Sequence, residues 1–239
     1  MMDAIKILIV VTSHAQMGAT PEATGIWMEE LTTPYYAFKD AGAEVTVVSI
    51  DGGPIPVDPG SMKPAGENDA SVERYLADPA FVNVARTTVK LSNVDASKYD
   101  AVFLPGGHGT MWDFPASTIL TAIVSDRLRN GDVVAAVCHG QAGLVAATLA
   151  DGSPAIANRR LTSFSDSEER AAGLDDVVPF LLESRLRTLG ATFTAAPDFK
   201  PFAIRDGNLI TGQNPASAVD AARLTLEAVH DARVREAAE

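Results

Sequence analysis

The chain has 239 residues, of which 46% are hydrophobic and 21% charged, a balance typical of a globular protein. This length fits one large domain, which we assign to residues 1–239. A formal net charge of −12 disfavours nucleic-acid binding, and a single cysteine excludes an intramolecular disulfide and a multi-cysteine zinc site.

No apolar stretch reaches the roughly 20 residues that cross a bilayer, and the N-terminal segment lacks the features of a signal peptide. No histidine or carboxylate has the spacing of a metal site. We therefore expect a cytoplasmic protein with no membrane partner and no metal.

Short β-branched runs alternate with longer amphipathic segments. Buried strands are predicted at 5–11, 45–50, 101–104 and 133–138, with weaker candidates at 160–164, 192–195 and 209–211. Helical patterns lie near 25–41, 116–130, 140–149 and 177–189. A last helix opens at Asn214-Pro215 and is predicted to bury Val219, Ala222, Leu226 and Val229. This alternation predicts an α/β fold, a mostly parallel sheet with helices on both faces.

The strand at 133–138 runs straight into Cys138, His139 and Gly140, and a run of small residues follows. Such a strand-to-helix turn is typical of a nucleophile elbow, which lifts a reactive side chain above the carboxyl edge of the sheet. Gly140 permits the close backbone approach that this turn needs, and a helix start would favour a thiolate at Cys138. Without the following His-Gly, a small buried cysteine would be the simpler interpretation.

A glycine-rich segment, Pro105-Gly106-Gly107-His108-Gly109, follows the strand at 101–104 and so lies at the same sheet edge. Its backbone N–H groups are candidates for an oxyanion hole. A proton-transferring group is also required. Glu29 and Glu30 lie in the first helical pattern, and one of them must face the apolar side, where desolvation would raise its pKa.

With these residues in place, the chain resembles the ThiJ/PfpI superfamily, and within it the glutathione-independent glyoxalase (glyoxalase III-like, heat-shock chaperone-like) branch. The similarity is carried by four separated motifs in order: 24–34, 105–115, 134–140 and 211–217. The resemblance implies a flavodoxin-like, doubly wound sheet and a homodimer. One departure is Gln141, where relatives carry proline, and we expect this amide to alter the pocket.

The resemblance also implies roles for individual residues. Glu30, which keeps the Glu-x-x-x-Pro spacing to Pro34, is the carboxylate at the cysteine, and Glu169 orients His139, with Asp166 and Glu168 as competing candidates. Gly106, Gly107, His108 and Gly140 form the oxyanion and substrate-binding set, with N–H groups of Gly107 and His139 on the oxyanion.

The implied reaction is cofactor-independent. A small reactive carbonyl such as methylglyoxal, plus water, becomes a 2-hydroxy acid through a Cys138 hemithioacetal, a lyase activity of the D-lactate dehydratase type that serves methylglyoxal detoxification in stress. A pocket lined by Trp27, Trp112 and Phe114 would admit larger substrates.

Two other interpretations remain open at this stage. A cysteine hydrolase or peptidase would use Cys138, His139 and Glu169 as a triad but has no use for Glu30. A stress chaperone would show an exposed apolar patch.

Overall fold

A seven-stranded sheet organises the part of the chain that the computed structural model describes, residues 4–237. The strands are β1 (Lys6–Val11), β2 (Glu44–Ser49), β3 (Val89–Lys90), β4 (Ala101–Leu104), β5 (Val133–Val137), β6 (Arg160–Leu161), β7 (Thr192–Phe193), β8 (Ala203–Asp206) and β9 (Leu209–Gly212). In space the order is β3-β2-β1-β4-β5-β9-β8, and β6 and β7 form a separate parallel pair. Every neighbouring pair of the large sheet is parallel except β8 with β9.

Helices cover both faces of this sheet. They are α1 (Met28–Asp40), α2 (Ala70–Leu76), α3 (Pro79–Arg86), α4 (Thr110–Asp113), α5 (Thr118–Asn130), α6 (Asp166–Ala172), α7 (Leu182–Thr188) and α8 (Ala218–Glu236). None of the helices found within residues 4–237 combines the length and the apolar character that a membrane crossing requires. The α/β prediction, with a mostly parallel sheet between helical layers, is confirmed.

Strand β1 shows why the central strands lack polar alternation. Ile7, Ile9 and Val11 pack into the core on one side of the sheet, whereas Leu8 and Val10 pack into the core on the other side. A strand with helices over both faces buries successive side chains in opposite directions, so every position is apolar.

The sheet order reverses between β1 and β4. The chain proceeds from β1 outward to β2 and β3, then returns to β4 beside β1 and proceeds outward the other way. In open α/β sheets this reversal leaves a crevice at the carboxyl ends of the two strands, where ligands bind. The segment after β4 and the turn after β5 both open at this edge.

Several predicted elements differ from the structure in type or face. The helix predicted near 140–149 is a fully buried 3₁₀ helix, Cys138–Leu144, which tightens the chain directly after β5. The short helices α2 and α3 and the antiparallel edge strand β8 were not predicted. In α8 the predicted buried position Val219 is 64% exposed, because the face that packs against α1 and β5 consists of smaller residues, including Ala218, Ala221 and Ala222.

The two faces of α8 predict opposite effects of the same substitution. Val219→Asp places a carboxylate in solvent at the first helical turn and should change the free energy of unfolding by no more than about 0.5 kcal/mol. Ala222→Asp buries an unpaired charge and should cost about 3–5 kcal/mol. Denaturant unfolding of both variants measures the difference, and equal effects would contradict this packing.

Candidate active site

The Cys138 sulfur lies at a turn with an unusual backbone. Cys138 has φ of 62°, in the left-handed region that non-glycine residues rarely adopt, and the residue is only 3% exposed. The Phe164 N–H donates to the Cys138 carbonyl at 3.1 Å, which holds the turn. Strain of this kind, maintained by surrounding contacts, is typical of a nucleophile elbow.

Glu30, rather than Glu29, faces the interior. Glu30 is completely buried, whereas Glu29 is half-buried. The Gly106 N–H donates to Glu30 Oε2 at 2.8 Å. The other oxygen, Oε1, makes no well-aligned hydrogen bond with any described residue, and the neighbouring group is the Cys138 thiol. One oxygen is therefore held in place and the other is available for proton transfer.

The Glu30 carboxyl and the Cys138 thiol each keep their proton at neutral pH. Burial raises the pKa of Glu30 to about 8, against the lowering effect of the neighbouring Cys138 thiol and of the Gly106 N–H. Burial and the adjacent Glu30 carboxyl raise the pKa of the Cys138 thiol well above its usual range. The sequence-based expectation of a stabilised thiolate is therefore wrong for this resting geometry. The dipole and N–H groups of a short 3₁₀ turn are outweighed by desolvation and a second acid.

On its other side the sulfur faces His139. The Cys138 Sγ lies 3.2 Å from His139 Nδ1, and His139 Nε2 lies 2.7 Å from Glu169 Oε2. Burial opposes ionisation of Glu169, but His139 and the hydrogen bonds from both imidazoles outweigh it and hold the pKa of Glu169 well below its usual range. Burial, helped by His108, lowers the pKa of His139.

These shifts assign the protons. An ionised carboxylate only accepts hydrogen bonds, so His139 carries its proton on Nε2 and leaves the Nδ1 lone pair toward the thiol. Cys138, His139 and Glu169 therefore form a hydrogen-bonded line suited to accepting the thiol proton.

Glu169 also contacts a second imidazole that sequence reasoning did not connect to it. His108 Nε2 lies 2.7 Å from Glu169 Oε1, and the His108 and His139 rings lie 4.1 Å apart between centroids. The sequence places His108 in the glycine-rich loop but carries no signal that it shares a carboxylate, because Glu169 lies 61 positions further along the chain and the two meet only in the folded structure.

The competing acids have other partners. Glu168 accepts from the backbone N–H groups of Ser165 and Phe199 and from the Asn214 side chain, which makes it a buried brace between loops. Asp166 bonds to Ser184 at the start of α7. Among the three candidates, Glu169 is the one that contacts His139.

The four residues of the predicted oxyanion and substrate set separate into two groups. Gly107, with φ of 101°, and His108 line the cavity at the sulfur. The Gly106 N–H donates to Glu30 Oε2, and a Cβ placed on Gly106 would lie 2.6 Å from the backbone nitrogen of His139. At Gly140 a Cβ would lie 2.0 Å from the Leu104 carbonyl oxygen. Gly106 and Gly140 allow backbones to approach one another and lie outside the cavity lining.

The cavity over Cys138 has a volume of about 200 Å³. Its wall is formed by Trp27, Glu30, Gly107, His108, Cys138, His139, Phe164, Ala172, Phe199 and Pro215. Sites for drug-sized ligands occupy roughly 300–1,000 Å³, so this cavity suits a molecule of a few heavy atoms. A more open pocket of about 470 Å³ adjoins it and shares Trp27, His108 and Ala172.

Two aromatic residues predicted in the lining lie elsewhere. Trp112 stacks on His14, and Phe114 is buried in the core beside α5. Phe164 and Phe199 take their place in the wall. Phe199, with φ of 58°, belongs to a loop that gave no sequence signal.

Gln141 also lies outside the cavity lining. Its side-chain nitrogen donates to the carbonyls of Thr162 and Gly212, each at 2.8 Å, and its Oε1 has no partner among residues 4–237. The amide therefore joins the turn after β5 to the ends of β6 and β9. Gln141 is therefore not among the residues that line the cavity, and its effect on the pocket stays an expectation.

The chain is similar to known proteins over most of its length. The DJ-1/PfpI family profile matches residues 23–228. A probable glutathione-independent glyoxalase of Schizosaccharomyces pombe is 32% identical over 236 residues, with 86% of this chain and 90% of the relative covered.

Among solved structures, the Rapid Encystment Protein 24 kDa of Francisella tularensis superposes with a TM-score of 0.90 at 39% identity, covering 94% of this chain and 99% of that one. Glyoxalase III of Candida albicans superposes with a TM-score of 0.85 at 28% identity, covering 94% and 97%.

The buried Glu30 carboxyl predicts a pH-dependent cost of folding. Because burial raises its pKa from 4.5 to about 8, Glu30 contributes most favourably below pH 4.5, and that contribution is lost as the pH rises toward 8. The free energy of unfolding of Glu30→Gln should therefore increase relative to that of wild type as the pH rises from 5 to 8. The increase should reach up to about 1.4 kcal/mol per pH unit. Urea unfolding across this range measures the gain, and a constant difference would contradict the shifted pKa.

Proposed function

The chain belongs to the DJ-1/PfpI family, and from the geometry of its site we propose that it is a glutathione-independent glyoxalase. The reaction converts methylglyoxal or a related 2-oxoaldehyde, with water, to the 2-hydroxy acid. The observation that carries the proposal is the Glu30 carboxyl beside the Cys138 thiol in a small cavity. Relatives named as glutathione-independent glyoxalases support the same assignment.

In the first step the Cys138 sulfur attacks the aldehyde carbon and forms a hemithioacetal. The thiol proton moves to His139 Nδ1, 3.2 Å from the sulfur, and is returned to the aldehyde oxygen as it becomes a hydroxyl. Glu169 stabilises the imidazolium that forms in between. The N–H groups of Gly107 and His139 are the donors proposed for the transient oxyanion.

In the second step Glu30 moves one proton. The ionised form of Glu30 takes the hydrogen from C1 of the hemithioacetal and returns it to C2. His139 carries the proton of the C1 hydroxyl to the C2 oxygen, so the intermediate is an enediol and no proton is gained or lost overall. The product is a 2-hydroxy thioester on Cys138. A carboxyl with a pKa of about 8 is a stronger base than an exposed glutamate, and its conjugate acid remains a competent donor near neutral pH.

In the last step water adds to the thioester carbonyl, with His139 as general base, and the Cys138 thiol leaves with a proton. Substrate and water together contain every atom of the 2-hydroxy acid, so the cycle requires no external oxidant or reductant. We assign the enzyme to the lyases of the D-lactate dehydratase type, and a cytoplasmic homodimer remains our prediction for its assembly.

The position of Glu30 separates this proposal from the peptidase interpretation. A peptidase needs the Cys138–His139–Glu169 line but gains nothing from a second, proton-carrying carboxyl at the sulfur. The small cavity also favours a short carbonyl compound over a peptide segment. The glyoxalase assignment therefore accounts for more of the buried polar groups than the alternative does.

Substitutions at neighbouring positions test the roles of Cys138 and Glu30. With methylglyoxal and no glutathione, Cys138→Ala should form no lactate, and Glu30→Gln should lower kcat by roughly 10²–10⁴. Glu29→Gln is the matched control, because Glu29 is the adjacent, half-buried carboxylate on the same helix, and it should retain near-normal kcat. NMR of substrate loss and lactate formation measures all four proteins.

Two results would count against the proposal. Wild type that consumes methylglyoxal without producing lactate would indicate simple adduct formation on side chains. Glu30→Gln with normal turnover would remove the carboxyl from the mechanism.

A further inference from the structure

Three potential metal ligands converge next to the sulfur, and the proposed reaction uses two of them for proton transfer and gives the third, His108, no step. They are His108, His139 and Glu169, and their ligand atoms all lie within 4.8 Å of one another. The three residues come from the loop after β4, the turn after β5 and helix α6. This origin explains why sequence spacing predicted no metal.

The donor set is that of a zinc site with an open position. Two imidazole nitrogens and one carboxylate hold catalytic zinc in several enzyme classes, with Zn–N and Zn–O bonds of roughly 2.0–2.2 Å. Each Nε2 already lies 2.7 Å from a different oxygen of Glu169, so the carboxylate faces both rings at once. For an ion to bind both rings, the carboxylate must withdraw from its present hydrogen-bonding distance.

Burial and charge favour such an ion. Glu169 and His139 are buried, and each imidazole Nε2 lies 2.7 Å from one oxygen of the Glu169 carboxylate. His108 lies in the wall of both the inner cavity and the outer pocket, which gives an ion a route from solvent to the ligands.

We propose that His108, His139 and Glu169 form a binding site for Zn²⁺ and that occupancy of this site inhibits the enzyme. To bind through Nε2, each neutral imidazole must carry its proton on Nδ1 instead. In His139 that proton occupies the atom that faces the Cys138 sulfur, so the ring no longer accepts the thiol proton. The ion also replaces both imidazoles on Glu169, which removes the group that orients His139.

The binding claim is independent of the proposed glyoxalase activity, whereas the inhibition claim depends on it. The competing location is the Cys138 sulfur itself, since thiolate is a strong zinc ligand. Spectroscopy with Co²⁺, which takes the same ligands and is coloured, separates the two. Nitrogen and oxygen ligands give visible d–d bands alone, and a bound thiolate adds a near-ultraviolet sulfur-to-cobalt band.

The chain offers well-matched variants, because it has four histidines. His108→Gln keeps an N–H that can donate to Glu169 but has no imine nitrogen for a metal. His230→Gln changes an exposed histidine of α8 and controls for surface binding. Cys138→Ser removes the sulfur, and Glu169→Gln is a second ligand variant in case His108→Gln fails to fold.

Co²⁺ titration, followed by Zn²⁺ competition, is the test. Wild type, His230→Gln and Cys138→Ser should each bind one ion with d–d bands and no sulfur band. His108→Gln and Glu169→Gln should bind at least about tenfold more weakly, since even substitutions beyond the ligands cost roughly 10–100-fold. Unchanged affinity in folded His108→Gln, or loss of binding in Cys138→Ser, would overturn the site.

Lactate formation supplies the second measurement. Zn²⁺ should inhibit wild type, a chelator should restore activity, and the residual activity of His108→Gln should need at least tenfold more Zn²⁺ for the same fractional loss. Binding at the three ligands without inhibition would overturn the inhibitory role alone. If metal-free wild type forms no lactate, the proposed function fails, and the cobalt spectra still decide the metal site.

Discussion

The burial of the Glu30 carboxyl against the Cys138 thiol is the interaction on which the rest of the site depends. A carboxylate without water is costly, so this group keeps its proton to about pH 8 unless a reaction removes it. One hydrogen bond, from the Gly106 N–H, fixes its position. This contact requires three segments to meet within van der Waals distance: helix α1, the loop after β4 and the turn after β5. A side chain at Gly106 would keep them apart, because its Cβ would clash with His139 and Glu30.

The two glutamates of the site, Glu30 beside the sulfur and Glu169 beyond His139, have pKa values shifted in opposite directions because their surroundings differ. Glu30 has one N–H donor and an apolar cavity, which raise its pKa, whereas Glu169 has two imidazole donors, which lower its pKa. When the pKa values of two carboxyl groups in one site are shifted in opposite directions, one group can exchange protons while the other remains charged. In the proposed reaction, Glu30 exchanges the carbon-bound proton while Glu169 stays charged.

Much of this could be predicted from the sequence, for identifiable reasons. The apolar strands before Cys138 and Gly106 fixed both segments at one sheet edge, since parallel strands share their carboxyl ends. Family motifs then separated Glu30 from Glu29 and Glu169 from its neighbours. Three features could not be predicted, because each depends on packing between segments distant in the chain. They are the exposure of Val219, the place of Phe199 in the cavity wall, and the hydrogen bond between His108 and Glu169. The thiol pKa was mispredicted because a local helix-start argument omits desolvation by the whole site.

The protonation state of Glu30 is the most direct test of this account. Infrared difference spectra of wild type against Glu30→Gln isolate the C=O stretch of a protonated carboxylic acid. The account predicts this band at neutral pH, with loss on titration near pH 8 as the carboxylate forms. Loss of the band near pH 4–5, as in an exposed glutamate, would contradict a buried proton carrier at the sulfur.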